Sequence, residues 1–253
     1  MLLLNRAQRC IVMAERTRRD GQPAYLLHAY PYRETSLIVE IYTRDVGRVA
    51  LIARGARRPR AALRGVLLAF QPLLLGWSGK SELKTLHKAE WQGGYAPLRG
   101  LSLICGFYMN ELLLKLLPRE DPHEQLFEAY AGALAQLPGA QDHATVLRRF
   151  ERVLLRELGY GLVLDREVAG GAPIEPQARY RYVPERGPVH AREVDAQSGV
   201  ELSGQTLIDM AVDHYADPQT VQQSKTLMRT LINHCLGQQT LHTRQLLRDL
   251  QQL

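Results

Sequence analysis

Residues 24–91 decide how this chain reads. Five short runs, AYLLHAYPYRE (24–34), TSLIVEIYT (35–43), RVALIARG (48–55), LLAFQPLLLGW (67–77) and ELKTLHKAEW (82–91), follow one another with turn or polar residues between them. Leucine, β-branched and aromatic side chains dominate each run, the composition of a half-buried strand. Ser36 to Thr43 is the clearest, and Asp45-Val46-Gly47 ahead of Arg48 reads as a tight connection between paired strands. Five strands within about 70 residues, without helical periodicity between them, predict a small antiparallel barrel or sandwich. Pro31 and Pro72 fall inside apparent strands, so they should stand at edges or bulges, where a missing N–H costs nothing.

Beyond Pro97 the period changes. Leu101 to Leu117 holds 12 apolar residues in 17, which predicts a helix buried on nearly all sides; Asn110, Glu111 and Lys115 argue against a membrane span. Pro122 to Leu137 is amphipathic and ends at Pro138-Gly139, and His143 to Leu158 sets Val146, Leu147, Phe150 and Leu154 against Arg148, Arg149, Arg152 and Arg156. Residues 165–200 are broken by glycines and prolines. Helical patterns return over Gly204 to Tyr215, Gln219 to Leu236 and Thr243 to Leu250. The expected organisation is an α+β multidomain chain: a flexible leader over 1–22, in which Met13 is an alternative start, a barrel over 23–96, a helical domain over 97–164 and 203–253, and an irregular insert over 165–202.

Charge is unevenly spread. The chain carries 32 Lys and Arg against 26 Asp and Glu, but residues 1–100 hold 17 basic and 7 acidic side chains, and the remainder 15 and 19. A basic first half points to a polyanion such as nucleic acid. The three cysteines, Cys10, Cys105 and Cys235, are far apart, so neither a disulfide framework nor a zinc site is indicated, and a reducing cytoplasm fits.

The sharpest local feature is Arg54 to Leu63 and Arg64, five arginines in eleven residues with no acid, between two predicted strands. A basic loop on a barrel can neutralise phosphates, with affinity that falls steeply with salt; the bland alternative is a solvated loop in an arginine-rich protein. Tyr30, Tyr32, Tyr42, Phe70 and Trp77 could stack on bases, although core packing is the ordinary use of such side chains, above all for Phe70 and Trp77. Lys80, Lys84 and Lys88 recur every four residues and either extend the basic path or blunt an edge strand. The helix bearing Arg148, Arg149, Phe150 and Arg152 has another use open to it: arginines beside an apolar groove can receive an acidic, hydrophobic peptide tail. Asp209, Asp213 and His214 are close in sequence, but an exposed acidic face accounts for them, and no phosphate-binding, nucleophile-elbow or zinc-protease motif is present.

Taken in order, several stretches resemble the RecO family of recombination mediators. They are Arg33-Glu34-Thr35-Ser36, Gly47-Arg48, Ala53-Arg54-Gly55-Ala56-Arg57, Phe70-Gln71-Pro72-Leu73, Tyr108-Met109-Asn110-Glu111-Leu112, Arg148-Arg149-Phe150-Glu151 and Leu158-Gly159-Tyr160-Gly161. The resemblance implies an amino-terminal OB fold, a five-stranded antiparallel barrel, joined to a helical domain, with no enzymatic turnover and no cofactor. It further implies binding of single- and double-stranded DNA, annealing of complementary strands, capture of the acidic carboxyl-terminal tail of single-stranded-DNA-binding protein, and action with RecR to load RecA in the bacterial cytoplasm at the nucleoid. The residues expected to meet DNA are then Arg33, Arg48, Arg54, Arg57, Arg58, Arg60, Arg64, Lys80 and Lys84, and those expected to meet the tail are Arg148, Arg149, Phe150 and Arg152. Some relatives carry a four-cysteine zinc module in the insert; residues 165–200 contain no cysteine, so no metal is expected. A sequence-tolerant RNA-binding barrel and a metal-dependent nuclease using Asp209, Asp213 and His214 are the competing classes.

Overall fold

The computed structural model describes residues 18–195, 197 and 199–251. The five runs form β1 (Arg18–Tyr32), β2 (Ser36–Thr43), β3 (Gly47–Ala53), β4 (Leu73–Ser78) and β5 (Leu83–Trp91), and these close into a barrel in the order β1-β2-β3-β5-β4. All pairings are antiparallel except β3 with β5. This is the OB architecture. Alternate residues point inward: Val39 and Ile41 from β2, Val49 and Leu51 from β3, and Leu73, Leu75 and Trp77 from β4 fill the interior.

Part of the outer wall is buried too. Helices α2 (Gly100–Leu116) and α3 (Glu124–Gln136) explain why. Tyr25 of β1 and Tyr42 of β2 meet Phe127 of α3 at ring separations of 5.4 and 5.5 Å, while Asn110 donates to the Leu27 carbonyl at 2.9 Å and accepts from Tyr130 Oη at 2.6 Å. Gly47 serves the same packing. It sits at φ +79, and a Cβ there would collide with the Asp121 carbonyl, so only glycine makes the β2–β3 turn beneath that segment. Pro31 pairs with Leu37 of β2 but lies beyond Ala24, the last residue of β1 that pairs with β4, so it stands where the other side of β1 is an edge; Pro72 falls just outside β4.

Two expectations need correction. The leader foreseen over 1–22 lies outside the described residues through residue 17, but Arg18–Gln22 open β1, with Arg18 opposite Ser78 and Gln22 opposite Leu75. This end of the strand is largely exposed and pairs through its backbone, so it lacks the apolar alternation that would reveal it. The stretch foreseen as an irregular insert contains a three-stranded antiparallel sheet, β6 (Arg179–Val183), β7 (Gly187–His190) and β8 (Val200–Ser203), in the order β7-β6-β8. Strands of four or five residues between glycines and prolines give periodicity too little length to register.

A short α1 (Ala62–Val66) interrupts the β3–β4 connection, and α4 (His143–Glu157), α5 (Gly204–Ala211), α6 (Pro218–Leu236) and α7 (His242–Gln251) are the other α-helices among the described residues. Asp142 caps α4 by accepting from Ala144 N at 2.8 Å, and Asp217 caps α6 by accepting from Gln219 N at 2.9 Å, ahead of Pro218. Contacts divide the chain into two compact units. One is the chain up to Arg99 with Met109–Pro138; the other is Gly100–Tyr108 with the chain from Gly139. The barrel unit therefore takes in α3 and the second half of α2, which the sequence assigns to the helical domain.

Candidate nucleic-acid interface

In the barrel unit, Ala56 decides the shape of the basic loop. It is buried in the barrel core, and the residues around it are turned outward: Arg54, Arg57, Arg58, Arg60 and Arg64 are all exposed. Gly55 at φ +69 makes the turn, and short-range hydrogen bonds from Arg58 N to Gly55 O, Ala61 N to Arg58 O and Arg64 N to Ala61 O stiffen it. Leu63 and Val66 of α1 pack on the core, which sends Arg64 to the solvent side. Among the described residues no carboxylate lies within ion-pair distance of these five guanidinium groups. Cations held close together without internal counterions form a ready phosphate surface.

Arg33 belongs to this surface. It occupies the β1–β2 turn at φ +50, is exposed, and lies over the Tyr32 ring at 5.2 Å; its carbonyl accepts from Arg57 NH1 at 3.1 Å, and Thr35 O accepts from Arg57 N at 2.9 Å. Tyr30, 47% exposed, stands at the same end of β1 with its ring 4.3 Å from that of His28. Tyr42, Phe70 and Trp77 are buried and leave the list of stacking candidates. Lys80 is exposed in the β4–β5 turn.

Arg48 and Lys84 are drawn away from any DNA surface. Arg48 donates to the Leu117 carbonyl at 3.0 and 3.2 Å and pairs with Glu40 at 3.3 Å, and Arg119 reaches the same carboxylate. Burial pulls the Arg48 pKa down while Glu40 opposes it. The Lys84 ammonium is largely covered and paired with Glu120. Both cations hold the segment after α2 against the barrel, a use set by partners far away in sequence.

In the second unit the four arginines of α4 split into two sets. Arg148 is buried and donates to Glu151 Oε1 at 2.7 Å, an oxygen that also accepts from Tyr108 Oη at 2.7 Å; Arg244 lies over the Tyr108 ring at 5.6 Å. Phe150 is 1% exposed. Neither Arg148 nor Phe150 can touch a peptide at the surface, which corrects the expected tail site. Arg149 and Arg152 do face outward and, with Arg156, Val153, Leu162, Leu164, Gly161 and Asp213, line a groove of about 360 Å³. Val153, Arg156, Leu162, Leu164 and Asp213 were not among the residues expected to meet the tail, yet the spacing 149-152-153-156 marks one helix face and separates these residues from Arg148. Asp209 is buried and accepts from Thr220 Oγ1 and Gln205 Nε2, both at 2.7 Å, whereas Asp213 pairs with Arg149; the two form neither a shared cation site nor an exposed acidic face. No group of three or more His, Cys, Asp or Glu among the described residues is placed to hold a metal, and no described helix is long and apolar enough to cross a membrane.

Comparison with known proteins covers both units. Residues 18–95 match the family model for the recombination protein O N terminal region and residues 99–244 that for its C terminal region. The chain is 56% identical over 239 residues to a DNA repair protein RecO of Nitrosospira multiformis, covering 94% of this chain and 99% of that protein. It is 56% identical over 242 residues to the DNA repair protein RecO of Aromatoleum aromaticum, covering 95% and 100%. For that of Burkholderia lata the figures are 57% over 232 residues, covering 92% and 83%. With an OB barrel, a helical unit, and family matches and relatives that span nearly its full length, the chain belongs to the RecO family.

Proposed function

We propose that this chain is a recombination mediator in DNA repair that works without catalytic turnover. Its barrel holds single- and double-stranded DNA by phosphate contacts from Arg33, Arg54, Arg57, Arg58, Arg60 and Arg64, with Lys80 as an outlying contact. Tyr30 supplies a stacking face for an unpaired base. Annealing needs no acid, base or nucleophile: a cationic surface screens the repulsion between two strands while their base edges stay free to pair. The α4 groove takes the acidic carboxyl-terminal tail of single-stranded-DNA-binding protein, carboxylates on Arg149 and Arg152 and apolar residues on Val153, Leu162 and Leu164. Action with RecR to load RecA, in the bacterial cytoplasm at the nucleoid, completes the reading.

The observation that carries it is the exposed arginine loop, pinned by a buried Ala56 and free of internal carboxylates. The test is annealing of complementary oligonucleotides coated with single-stranded-DNA-binding protein, with and without that protein's tail. Tail-dependent acceleration is expected. No acceleration despite intact binding of naked strands would reduce the protein to a basic binding module, and an equal or greater affinity for matched RNA would replace DNA as the ligand.

A further inference from the structure

We infer that Asp213 is a resident substitute for the ligand's carboxylate, so that an acidic peptide enters the α4 groove by exchange and only if it also brings apolar residues. The inference rests on the tail-binding reading of that groove. Among the described residues Asp213 is the one acid that lines the groove, and its two oxygens take different arginines: Oδ2 accepts from Arg149 Nε at 2.7 Å, and Oδ1 lies 3.5 Å from Arg152 NH1. An incoming carboxylate would seek the same two guanidinium groups. The groove therefore already shows the ligand chemistry it accepts.

The way Asp213 is held suits displacement. It follows α5 at φ +59, a left-handed conformation that Asp and Asn adopt more readily than other residues with a Cβ. That turn is closed within the chain, Asp213 N donating to Met210 O at 3.3 Å and His214 N to Asp209 O at 2.8 Å, so the backbone does not depend on the arginines. The Asp213 side chain is 43% exposed and the preceding Val212 is 70% exposed. The side chains of both residues are open to solvent, and a solvated ion pair of this kind is weak.

Exchange has two consequences. Ion pairs made with the peptide are offset by those given up by Asp213, so binding to the native chain responds little to salt. Discrimination then falls to Val153, Leu162 and Leu164, since a purely acidic peptide gains no more than Asp213 already provides. Asp213 thus acts as a specificity determinant that rejects polyacidic ligands lacking an apolar end.

The test uses the full chain and two labelled synthetic peptides, three aspartates followed by leucine and phenylalanine, and five aspartates. Asp213→Asn keeps a residue suited to the left-handed turn and removes the charge; Asp213→Gly does the same with a different backbone preference and guards against a local folding effect. Both variants should bind the mixed peptide about fivefold more tightly at low salt, the scale of one exposed ion pair, with a steeper loss as salt rises, and should gain measurable binding of the polyaspartate. Unchanged or weaker binding in both variants, with the mixed peptide still lost in Arg149→Glu, would overturn the exchange while leaving the groove as the tail site. No binding of the mixed peptide to any form, native included, would remove the groove reading and the exchange with it.

Discussion

The β3–β4 loop and α4 are the two arginine-dense segments of this protein, and they put their charges to different uses. Five arginines between residues 54 and 64 are all exposed, with no carboxylate at ion-pair distance among the described residues, whereas those of α4 are divided between a buried pair with Glu151, a solvated pair with Asp213 and a contact of Arg156 with Glu157. The difference lies in what surrounds them. A loop anchored by Ala56 and Leu63 projects its arginines outward, while a helix with one face in a core must bury whichever residue falls on that face. Arginine density alone does not mark a binding surface; the carboxylates decide, and these stand elsewhere in the sequence.

The buried pair gives the largest effect. Arg148→Ala leaves Glu151 in the interior without its cation, and burial already pushes that carboxyl up despite Arg148. Stability should fall by about 3 kcal/mol, the cost of breaking one side of a buried pair, read as a lower urea midpoint. A fall below about 0.5 kcal/mol would place Arg148 with the surface arginines.

The loop should behave in the opposite way. Arg57→Ala combined with Arg58→Ala should weaken binding of single-stranded DNA alike across sequences and lower the salt slope by about 1.4, since each phosphate contact contributes about 0.7. An unchanged slope in a salt titration would take the loop off the DNA surface.

Asp142 sharpens the comparison from the helix side, because it fixes where α4 begins. Burial pushes its carboxyl up, but hydrogen bonds from Thr145 and Ala144 outweigh this and hold it below the usual carboxylate range. A carboxyl with a lowered folded pKa stabilises the protein above its unfolded pKa, and that contribution is lost as pH falls through the folded value. Asp142→Ala should cost about 1 kcal/mol at neutral pH and flatten the acid limb of the stability profile; an identical acid limb would show that the cap contributes nothing. Smallest of all is Arg60→Ala, expected to change stability by under about 0.5 kcal/mol, with thermal unfolding as the check.

Much of this was legible beforehand, for identifiable reasons. The barrel strands show in residues 24–91 because one face of each is filled by apolar side chains, and the loop shows because it lacks acids. The helices of the second unit show through their 3.6-residue period. What stayed hidden depends on distant partners: Arg48 looks like its neighbours in the basic half, and only the fold reveals that Glu40 and the Leu117 carbonyl hold it. Phe150 and Arg148 were misplaced for a related reason. They sit beside Arg149 and Arg152 in sequence, but a helix turns about 100° per residue and carries them to the inner side. The short β6–β8 sheet and the five-residue α1 are simply too brief for periodicity to detect.

The central claim is that the two arginine segments bind different ligands, and one paired measurement addresses it. Binding of naked single-stranded DNA and of a labelled acidic, apolar tail peptide is measured for the native chain, for Arg57→Ala with Arg58→Ala, and for Arg149→Glu. The loop variant should lose DNA and keep the peptide, while Arg149→Glu should lose the peptide and keep DNA. Parallel loss of both ligands in both variants would show a single shared surface and contradict it.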